Sequence, residues 1–591
     1  MSTAGRLWGR ARARIRLRPS WSARRAARDI VTVIPGAITG LLHLIWTAFL
    51  ELLAPLVAVV LAPLFYWRLF TPDPRDAATL PVGDITALHY PYRRWVAEEL
   101  SRGVPPVWNE FLAAGQSAIG DIQFHTLYPP DAMLARFAGG SFPLVAFEAG
   151  VVAHVALGSL FMYLLGRRLT GSRVGGLVSA VIFGFGGYLT GFPVQQIILL
   201  ETSVWLPFIL LCIDIGADFG LVLAFALGSG GLALAALAGH PQTLYYVAIA
   251  AAGYGIFKTW NGGRIRLAGI LGLPVLFAGG LALAAVALVP AYLHLGLTDR
   301  TNVTYDFSSG GYGLREALGL VFPAEFGAAT LYNGLFSLVL VAIAVASGSR
   351  RSNKLFWLGL GIVGLLVSFG GNTFLEGLQY LALGSLKFRD HERLSFFVSI
   401  AVAVLAGYGA AELARQRPPR FAWLAPLFQW PIAATVGMGI FLIVTLATSS
   451  TGQTSNLIPI VDRAGFTLIV LGIGGAIVSG RNRGILSPGA AGLFAVILVT
   501  FDLFSTHWQS NLTPGDPQLL LAPSPIVDYL QNYTSGHFRI ASEGLLPGDG
   551  NAGALFRLED VVGNSPLATS DFADFDRLVP ELARWQILGV R

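Results

Sequence analysis

The residue types best suited to chemistry are concentrated between positions 84 and 128 of the 591-residue chain. This stretch combines carboxylates, amides, imidazoles and aromatic rings, in Asp84, His89, Tyr90, Tyr92, Arg93, Arg94, Trp108, Asn109, Asp121, Gln123, His125 and Tyr128. Aromatic rings can cover the apolar face of a sugar ring, and carboxylates and amides can bond to its hydroxyl groups. The stretch therefore predicts a carbohydrate site. An amphipathic helix over 85–100 that lies on a membrane with a tyrosine and tryptophan belt would explain the same residues.

Composition places this stretch in a membrane protein. Hydrophobic residues make up 54% of the chain and charged residues 13%, against a charged share of about 25% in soluble domains. A series of soluble domains is thereby excluded, and a bundle of transmembrane helices is favoured. The single cysteine, Cys212, lies in an apolar run, which excludes a disulfide framework and a cysteine-based metal site. The basic residues cluster beside apolar runs. The net charge of +6 is therefore better explained by membrane topology than by nucleic-acid binding.

Apolar runs of about 17 to 25 residues mark the candidate spans. They lie near 49–70, 143–165, 174–192, 197–216, 219–238, 242–257, 267–290, 332–347, 355–370, 394–413, 421–447, 465–479 and 485–503. Short basic loops fall on alternate connections, at 167–173, 258–266, 350–354, 415–420 and 481–483. The positive-inside rule puts these loops in the cytoplasm, together with the basic N-terminus at 1–29. With an interfacial helix near 30–46, this gives about thirteen spans and a C-terminus outside.

This topology divides the chain into a transmembrane domain at 30–504 and a tail at 505–591. The tail, the first outer loop at 71–141 and the second outer loop at 291–331 all face outward. The tail is rich in Asp, Pro and Gly, with strand-like runs at Phe538–Ser542 and Trp585–Arg591. We therefore expect a small exported α/β or β-rich domain.

Short motifs recur along the chain in a recognisable order. After Asp84 come Tyr-Pro-Tyr-Arg at 90–93, Gly-x-x-Pro-x-Trp-Asn at 103–109, a small-Gly pair at 114–115, Tyr-Pro-Pro at 128–130, Gly-His-Pro-Gln-Thr at 239–243, Phe-Arg-Asp-His-Glu-Arg-Leu at 388–394, Asp-Val-Val-Gly-Asn at 560–564 and Leu-Gly-Val-Arg at 588–591. This order resembles the bacterial YfhO-type membrane proteins of the C-type (GT-C) glycosyltransferase superfamily. Two positions depart from that pattern: Glu110 stands where the family favours Pro, and Ala114 replaces a Gly. The resemblance also implies that the tail is shorter than in its relatives.

The resemblance implies a GT-C-like α-helical polytopic fold and an inverting transferase. Such an enzyme takes a sugar from a polyprenyl-phosphate donor and passes it to an envelope polymer, glycolipid or protein, at the outer face of the bacterial cytoplasmic membrane. Carried over, the general base is Asp84, since a hydroxyl acceptor needs a proton acceptor within reach. Asp121 is the alternative, either as a second acid or as a ligand for a divalent cation, Mg²⁺ or Mn²⁺, beside the donor phosphate.

A phosphate that leaves with added negative charge needs cations at the outer membrane face. Lys387, Arg389, His391 and Arg393 lie there, against the positive-inside trend, and are expected to bind it; pairing with lipid headgroups is the alternative. Arg300 and Arg315 are weaker candidates for the same role. The expected substrate-binding residues are Tyr92, Arg93, Trp108, Asn109, His125, Tyr128, His240 and Gln242.

Two hypotheses of another class remain beside the transferase. A transporter or lipid flippase would need several charged residues in mid-membrane, but the spans hold few, chiefly Glu148, Glu201 and Asp502. A non-catalytic subunit of an envelope complex would present the tail as a docking surface. The departures at Glu110 and Ala114 keep that third hypothesis open.

The topology can be tested by labelling introduced cysteines in intact cells. We expect a cysteine at Glu110, near Gly115, to react with a membrane-impermeant maleimide, and one at Ser352 in a basic loop to react only after permeabilisation. Cys212 is replaced first so that each variant carries one thiol. The reverse pattern of labelling would invert the whole topology.

Overall fold

The structure is a computed structural model that describes residues 49–139, 142–260, 265–298, 300, 304–322, 328–383, 388–415, 458–533 and 538–590. The chain divides into two units, residues 1–56 and 57–591. The described part of the first unit belongs to helix Phe49–Phe65. Every residue discussed below as part of a site lies in the second unit.

Helices dominate the described residues. In chain order they are α1 (Phe49–Phe65), α2 (Tyr90–Ser101), α3 (Pro129–Ala138), α4 (Leu144–Thr170), α5 (Arg173–Phe185), α6 (Gly187–Thr190), α7 (Phe192–Gln195), α8 (Ile197–Ser203), α9 (Leu206–Phe219), α10 (Val222–Leu237), α11 (Pro241–Trp260), α12 (Leu267–Leu295), α13 (Tyr305–Ser308), α14 (Leu335–Ala346), α15 (Arg351–Ser368), α16 (Phe374–Leu383), α17 (Ser395–Leu413), α18 (Ile458–Asn482), α19 (Pro488–His507), α20 (Pro517–Leu520), α21 (Pro525–Asn532), α22 (Ala552–Phe556), α23 (Ser570–Leu578) and α24 (Glu581–Leu588). The strands are two residues each: β1 (Ala78–Thr79) pairs with β4 (Thr513–Pro514), and β2 (Trp108–Asn109) with β3 (Gln116–Ser117), both antiparallel.

Seven helical stretches within the described residues are long and apolar enough to cross a membrane. They are Leu144–Thr170, Arg173–Thr190, Ile197–Phe219, Leu267–Leu295, His391–Leu413, Gly465–Asn482 and Pro488–His507, and shorter apolar helices lie at Phe49–Phe65, Val222–Leu237 and Leu335–Ala346. The expected polytopic helical membrane protein is thereby confirmed. The span expected at 421–447 lies outside the described residues, and the total of thirteen stays a prediction.

The bundle is built around α17, in which every residue is buried. It packs against α5, α14 and α15. Small residues let α5 and α17 approach closely: a Cβ added at Gly407 would lie 2.8 Å from the carbonyl oxygen of Gly175. Ser179 of α5 then donates its hydroxyl to Ala403 in α17 at 2.9 Å. Close packing of small residues with interhelical hydrogen bonds is how membrane helices associate without a hydrophobic driving force.

The first outer loop folds against protein. A π-helical turn at Ile85–His89 leads into α2. Tyr92 and Trp95 of α2 are buried with Phe124 and with Ala554 of the tail, and Tyr92 stacks on Phe124 at 3.6 Å between ring centres. The aromatic residues of α2 are therefore packed inside the protein and do not form a membrane belt.

A buried ion-pair cluster joins this loop to the transmembrane helices. The guanidinium of Arg93 lies 3.0 Å from Asp131 at the start of α3 and 2.5 Å from Glu201 in α8. His125 lies 3.2 Å from the same Asp131 carboxylate. The side chains of Arg93, His125 and Glu201 are at most 3% exposed. Since an isolated buried charge is costly, each member depends on the others.

The tail contains little β-structure among its described residues. Its β-contacts are β4 and three isolated bridges, Thr298–Thr569, Arg539–Val590 and Ile540–Asp560. The strand predicted for Trp585–Arg591 is wrong, because residues 581–588 form α24. Good helix formers at 581–584 start this helix, and Gly589 ends it in the left-handed conformation that favours glycine.

The ion-pair cluster predicts that replacing Arg93 destabilises the protein far more than replacing its neighbour Arg94. Arg93→Ala removes the only described cation from between two buried carboxylates, so we expect a loss of about 3–5 kcal/mol of stability. Arg94→Ala is the matched control: Arg94 is 29% exposed and pairs with Glu98 one turn along the same helix, a contact worth under about 1 kcal/mol. Thermal unfolding in detergent measures both, and equal losses would show that the cluster does not stabilise the fold.

Candidate functional site

Asp84 lies at an exposed turn immediately before the π-helical segment. Its Oδ2 accepts a hydrogen bond of 3.1 Å from the side-chain amide of Gln196. Gln196 lies on the short connection between α7 and α8. Its carbonyl oxygen accepts from the guanidinium of Arg393 at 3.3 Å. One amide thus joins the expected base to an expected phosphate-binding arginine.

Arg393 is held on three sides. Besides Gln196, it donates to Gln242 at 2.7 Å and to Asp390 at 2.9 Å. Gln242 in turn donates to the backbone oxygen of Arg389 at 2.8 Å. The start of α11 is thereby fixed to the 388–393 segment. His240 lies just before α11, and burial and the charge of Arg393 hold its pKa well below the usual value.

Three arginines converge here, and we call Arg300, Arg389 and Arg393 the arginine cluster. The guanidinium carbons of Arg300 and Arg389 lie 5.2 and 5.4 Å from the ring centre of Phe307. Burial and the neighbouring charge of Arg389 lower the pKa of Arg300. Asp390 is the carboxylate that pairs with both Arg389 and Arg393. The cluster therefore carries an excess of positive charge, which suits an anion such as a phosphate.

Backbone contacts between the segments at 304–312 and 388–393 hold the arginine cluster together. Asp390 adopts a left-handed conformation with φ of 56°, and the amide of His391 donates to Gly310 at 2.9 Å. The His391 side chain is fully buried and lies 2.8 Å from Glu376 in α16. Because its imidazole contacts Glu376, His391 does not offer this group to a phosphate at the arginine cluster. Its contact fits the positioning of the 388–393 segment better than the predicted direct binding of phosphate. Lys387 lies outside the described residues.

An apolar cavity of about 280 Å3 opens beside the arginine cluster. It lies among α10, α11 and α12, and its lining is hydrophobic except for the tyrosine hydroxyl: Ile122, Leu232, Ala236, Pro241, Leu244, Tyr245, Ala248, Phe277, Gly280, Leu281, Leu288 and Phe388. Phe388 directly precedes Arg389, and Pro241 directly precedes Gln242. A ligand with one charged end and one hydrocarbon end would fit both features.

Three expected substrate residues belong instead to the ion-pair cluster. Arg93 and His125 contact Asp131 and Glu201 as described above, and Tyr128 bonds to His154 at 2.9 Å. His125, Asp131 and Glu201 form the group within the described residues that could hold a metal ion. Arg93 already lies between the two carboxylates. The donor set therefore fits an internal guanidinium better than a divalent cation.

Asp121 is fully buried and its contacts are structural. It accepts from the hydroxyl of Ser565 at 2.7 Å, from Gln116 at 3.3 Å and from the amide of Gln123 at 3.0 Å. Burial raises its pKa. Hydroxyl and amide donors stabilise a carboxylate but do not complete a metal site, and none of these contacts leads to Asp84. Asp121 therefore fits the positioning of the tail better than proton transfer or metal binding.

Asn109 and Trp108 lie in the β2–β3 hairpin. The Asn109 side chain is buried and accepts from the amide of Phe111 at 3.0 Å, within the turn. The ring of Trp108 covers Gly115, where an added Cβ would lie only 2.8 Å away. Ala114 has a φ of 59°, a conformation that favours glycine and is strained for alanine. The Trp108 side chain is exposed and remains a candidate for a sugar contact.

The tail segment 564–570 ties the first loop to the second. Asn564 accepts from the hydroxyl of Tyr92 at 2.8 Å, the contact that replaces the expected sugar contact of that tyrosine. The backbone oxygen of Pro566 accepts from Arg300 at 3.2 Å. The amide of Ser570 donates to Leu297 at 2.8 Å. The tail therefore helps to position one arginine of the cluster.

No family model and no curated protein matches the chain. Two crystal structures of ArnT from Cupriavidus metallidurans do align with it. The form bound to undecaprenyl phosphate gives a TM-score of 0.49 and 13% identity over 92% of this chain and 91% of ArnT. The apo form gives 0.48 and 14% over 93% and 91%. Likeness of this degree assigns neither a family nor an activity to this chain.

Gln196 and Phe307 are two of the site residues that sequence reasoning missed, and Asp390 is another. Gln196 belongs to a pair of glutamines that follows Pro193 between two apolar runs, which is a polar signal at a span boundary. Phe307 carries no comparable signal, because an isolated aromatic residue in an outer loop is common. Both gain their importance only from the arginines that fold onto them.

The buried state of His125 predicts a pH dependence of stability. Burial, with the charge of Arg93, lowers its pKa from 6.5 to about 4. Between pH 4 and pH 6.5 the unfolded chain therefore binds more protons than the folded protein. Stability contributed by neutral His125 is present above pH 6.5 and is lost as the pH falls toward 4, by at most about 1.4 kcal/mol per pH unit. We expect the melting temperature of His125→Gln to fall less steeply than that of the parent between pH 6.5 and 4.5. Parallel curves would exclude His125 as the titrating group.

Proposed function

We propose that the chain is a membrane glycosyltransferase that moves a sugar from a polyprenyl-phosphate-linked donor to an envelope acceptor. The observation that carries this proposal is the hydrogen-bonded chain from Asp84 through Gln196 to Arg393, next to an apolar cavity. A carboxylate, a cationic cluster and a hydrocarbon-lined cavity are the three elements that such a reaction requires. The reaction takes place on the membrane face that carries the first outer loop, which we assign to the outside of the cytoplasmic membrane.

The donor is bound by its two unlike ends. Its phosphate lies against the arginine cluster, where guanidinium groups offer paired donors for phosphate oxygens. Its prenyl chain enters the cavity beside Phe388. The sugar is then held on the solvent side of the phosphate, toward the exposed carboxylate of Asp84. Gln196 fixes the distance between the two charges, because its amide bonds to both side chains.

The chemical step is a displacement at the anomeric carbon. The acceptor hydroxyl forms the new bond to this carbon and gives its proton to Asp84. The bond from the carbon to the phosphate oxygen breaks, and its electron pair leaves with the polyprenyl phosphate. The arginine cluster stabilises the charge that develops on this leaving group. A single displacement inverts the configuration of the sugar.

The acids of the transmembrane helices favour this proposal over a transporter. Glu201 pairs with Arg93, and Glu148 accepts from the amide of Leu80 at 2.9 Å. Asp502 accepts from the hydroxyl of Tyr332 at 2.5 Å. Each acid has a structural partner and none needs an ion or proton pathway to explain it.

Replacement of Asp84 tests the base. Asp84→Asn keeps the shape and the bond from Gln196 but cannot accept a proton, so we expect turnover to fall at least about 10²-fold. Cells with and without the protein are first compared by mass spectrometry of surface glycans, and complementation by the variant is then scored. Asp76→Asn, at an exposed acid of the same loop, is the control and should restore the glycan. Normal complementation by Asp84→Asn would remove Asp84 from the reaction.

The donor site has its own readout. Binding of undecaprenyl phosphate to the purified protein should weaken by about tenfold or more in Arg389→Ala, since a charged hydrogen bond contributes about 1.5–3 kcal/mol. Arg75→Ala is the control, because Arg75 is 88% exposed in the first outer loop and pairs only with Asp73 among the described residues. Equal affinity in parent and Arg389→Ala would exclude Arg389 from the phosphate site. Affinity should be unchanged in Asp84→Asn, which separates binding from chemistry.

A further inference from the structure

A second cavity with cationic residues lies at the opposite end of the bundle, on the face that carries the basic loops. It has a volume of about 250 Å3 and lies where α14 ends and α15 begins. Its lining is Val345, Ala346, Ser347, Gly348, Arg351, Lys354, Leu355 and Leu358. One end of this cavity is polar and basic, and the other is aliphatic. We call it the basic-face cavity.

Lys354 supplies a fixed buried charge to this cavity. Its ammonium group donates to the backbone oxygens of Ala344 at 2.6 Å and Ser347 at 2.7 Å. These are carbonyl groups at the end of α14, which would otherwise present the negative end of a helix dipole to the cavity. The lysine therefore offsets the negative end of this helix dipole.

Arg351 supplies the accessible charge. Its side chain is exposed, lines the cavity and has no hydrogen bond or ion pair with any described residue. Nearby Glu412 is already engaged by Arg415 at 2.8 Å and by Ser347 at 3.3 Å. Arg351, Lys354 and Arg415 thus accompany one described carboxylate, Glu412, around the cavity, which leaves an excess of positive charge there.

In another charged group on the same face, every cation has a carboxylate partner. Asp214 and Asp218 there pair with three cations: Arg168 and Lys258 each contact both acids, and Arg266 contacts Asp218. Those cations are used internally. Arg351 has no such partner among the described residues. The carboxylate of Glu412 instead accepts a hydrogen bond from Ser347, which lines the same cavity.

The aliphatic wall identifies the kind of anion. Val345 and Leu355 are 49% and 53% exposed on apolar helices of the membrane bundle, so a hydrocarbon chain can lie along them directly below the charges. A free inorganic anion would gain nothing from this wall. A phospholipid has its phosphate at the headgroup level and its acyl chain below, which is the arrangement of charged and aliphatic residues in the cavity.

We propose that the basic-face cavity binds one anionic phospholipid, with its headgroup phosphate on Arg351 and one acyl chain along Val345, Leu355 and Leu358. This site is separate from the donor site, since it lies at the other end of α15 and α17 from Arg393 and the 368–372 turn. Its occupant stays with the protein and takes no part in sugar transfer. The basic-face cavity selects lipids with a net negative charge, because the cation of a zwitterionic headgroup would be repelled by the excess positive charge of the cavity.

Native mass spectrometry of the full-length protein in detergent tests the proposal. We expect one phosphatidylglycerol to remain bound under conditions that remove phosphatidylcholine of the same acyl chains. Arg351→Gln should weaken phosphatidylglycerol binding at least about fivefold, and Arg351→Lys should keep part of it. Arg483→Gln, at an exposed arginine in another basic loop, is the matched control and should bind as the parent does. Because Arg351 is exposed and unpaired among the described residues, its replacement should leave the melting temperature unchanged without lipid.

Three outcomes would overturn the proposal. Equal retention of phosphatidylcholine would reduce the cavity to a nonselective lipid contact. Unchanged phosphatidylglycerol binding in Arg351→Gln would place the lipid elsewhere. Displacement of the lipid by glycerol phosphate at equal concentration would show that the aliphatic wall contributes nothing, and that the site binds a small anion.

Discussion

The first outer loop owes its position to one buried guanidinium, that of Arg93. It joins Asp131 of the loop to Glu201 of the transmembrane helices, with distances of 3.0 and 2.5 Å. Burying these charges separately would be costly, and the pairing offsets that cost only when loop and helices are together. The cluster therefore makes the docking of the loop close to all-or-none. Asp84 lies on the chain just before α2, so its location follows from this docking.

A second constraint acts through the tail. Segment 564–570 bonds on one side to Tyr92 and Asp121 in the first loop, and on the other to Arg300 and Leu297. The first loop, the second loop and the tail are thus one hydrogen-bonded layer over the helix ends. Residues with the composition of a sugar site serve here to hold the layer together. This explains why a stretch dense in aromatic and polar groups need not contact a ligand at most of its positions.

The candidate site lies where this layer meets the helix connections. Gln196, Gln242 and Asp390 come from three separate segments, and all of them bond to Arg393. A side chain held in this way loses little further freedom when a phosphate binds, which favours affinity. The apolar cavity beside it begins at residues next to Gln242 and Arg389 in the sequence. Polar and hydrocarbon groups are therefore adjacent because the start of α11 and the 388–393 segment each carry both.

The sequence by itself determined the membrane character, the positions of the apolar helices and the presence of chemistry-bearing residues in the outer loops. These are local properties, since hydropathy and residue type are read from consecutive positions. Arg389, Arg393 and Gln242 were found in this way, Asp84 was assigned as the base through the resemblance of the motifs, and the structure brings all four to one region. The tertiary structure alone decided that Arg93, His125 and Tyr128 are internal, and that Gln196 belongs to the site. Arg93 and Glu201 are 108 positions apart, and the pairing of such distant charges depends on which helices pack together, which no local pattern encodes.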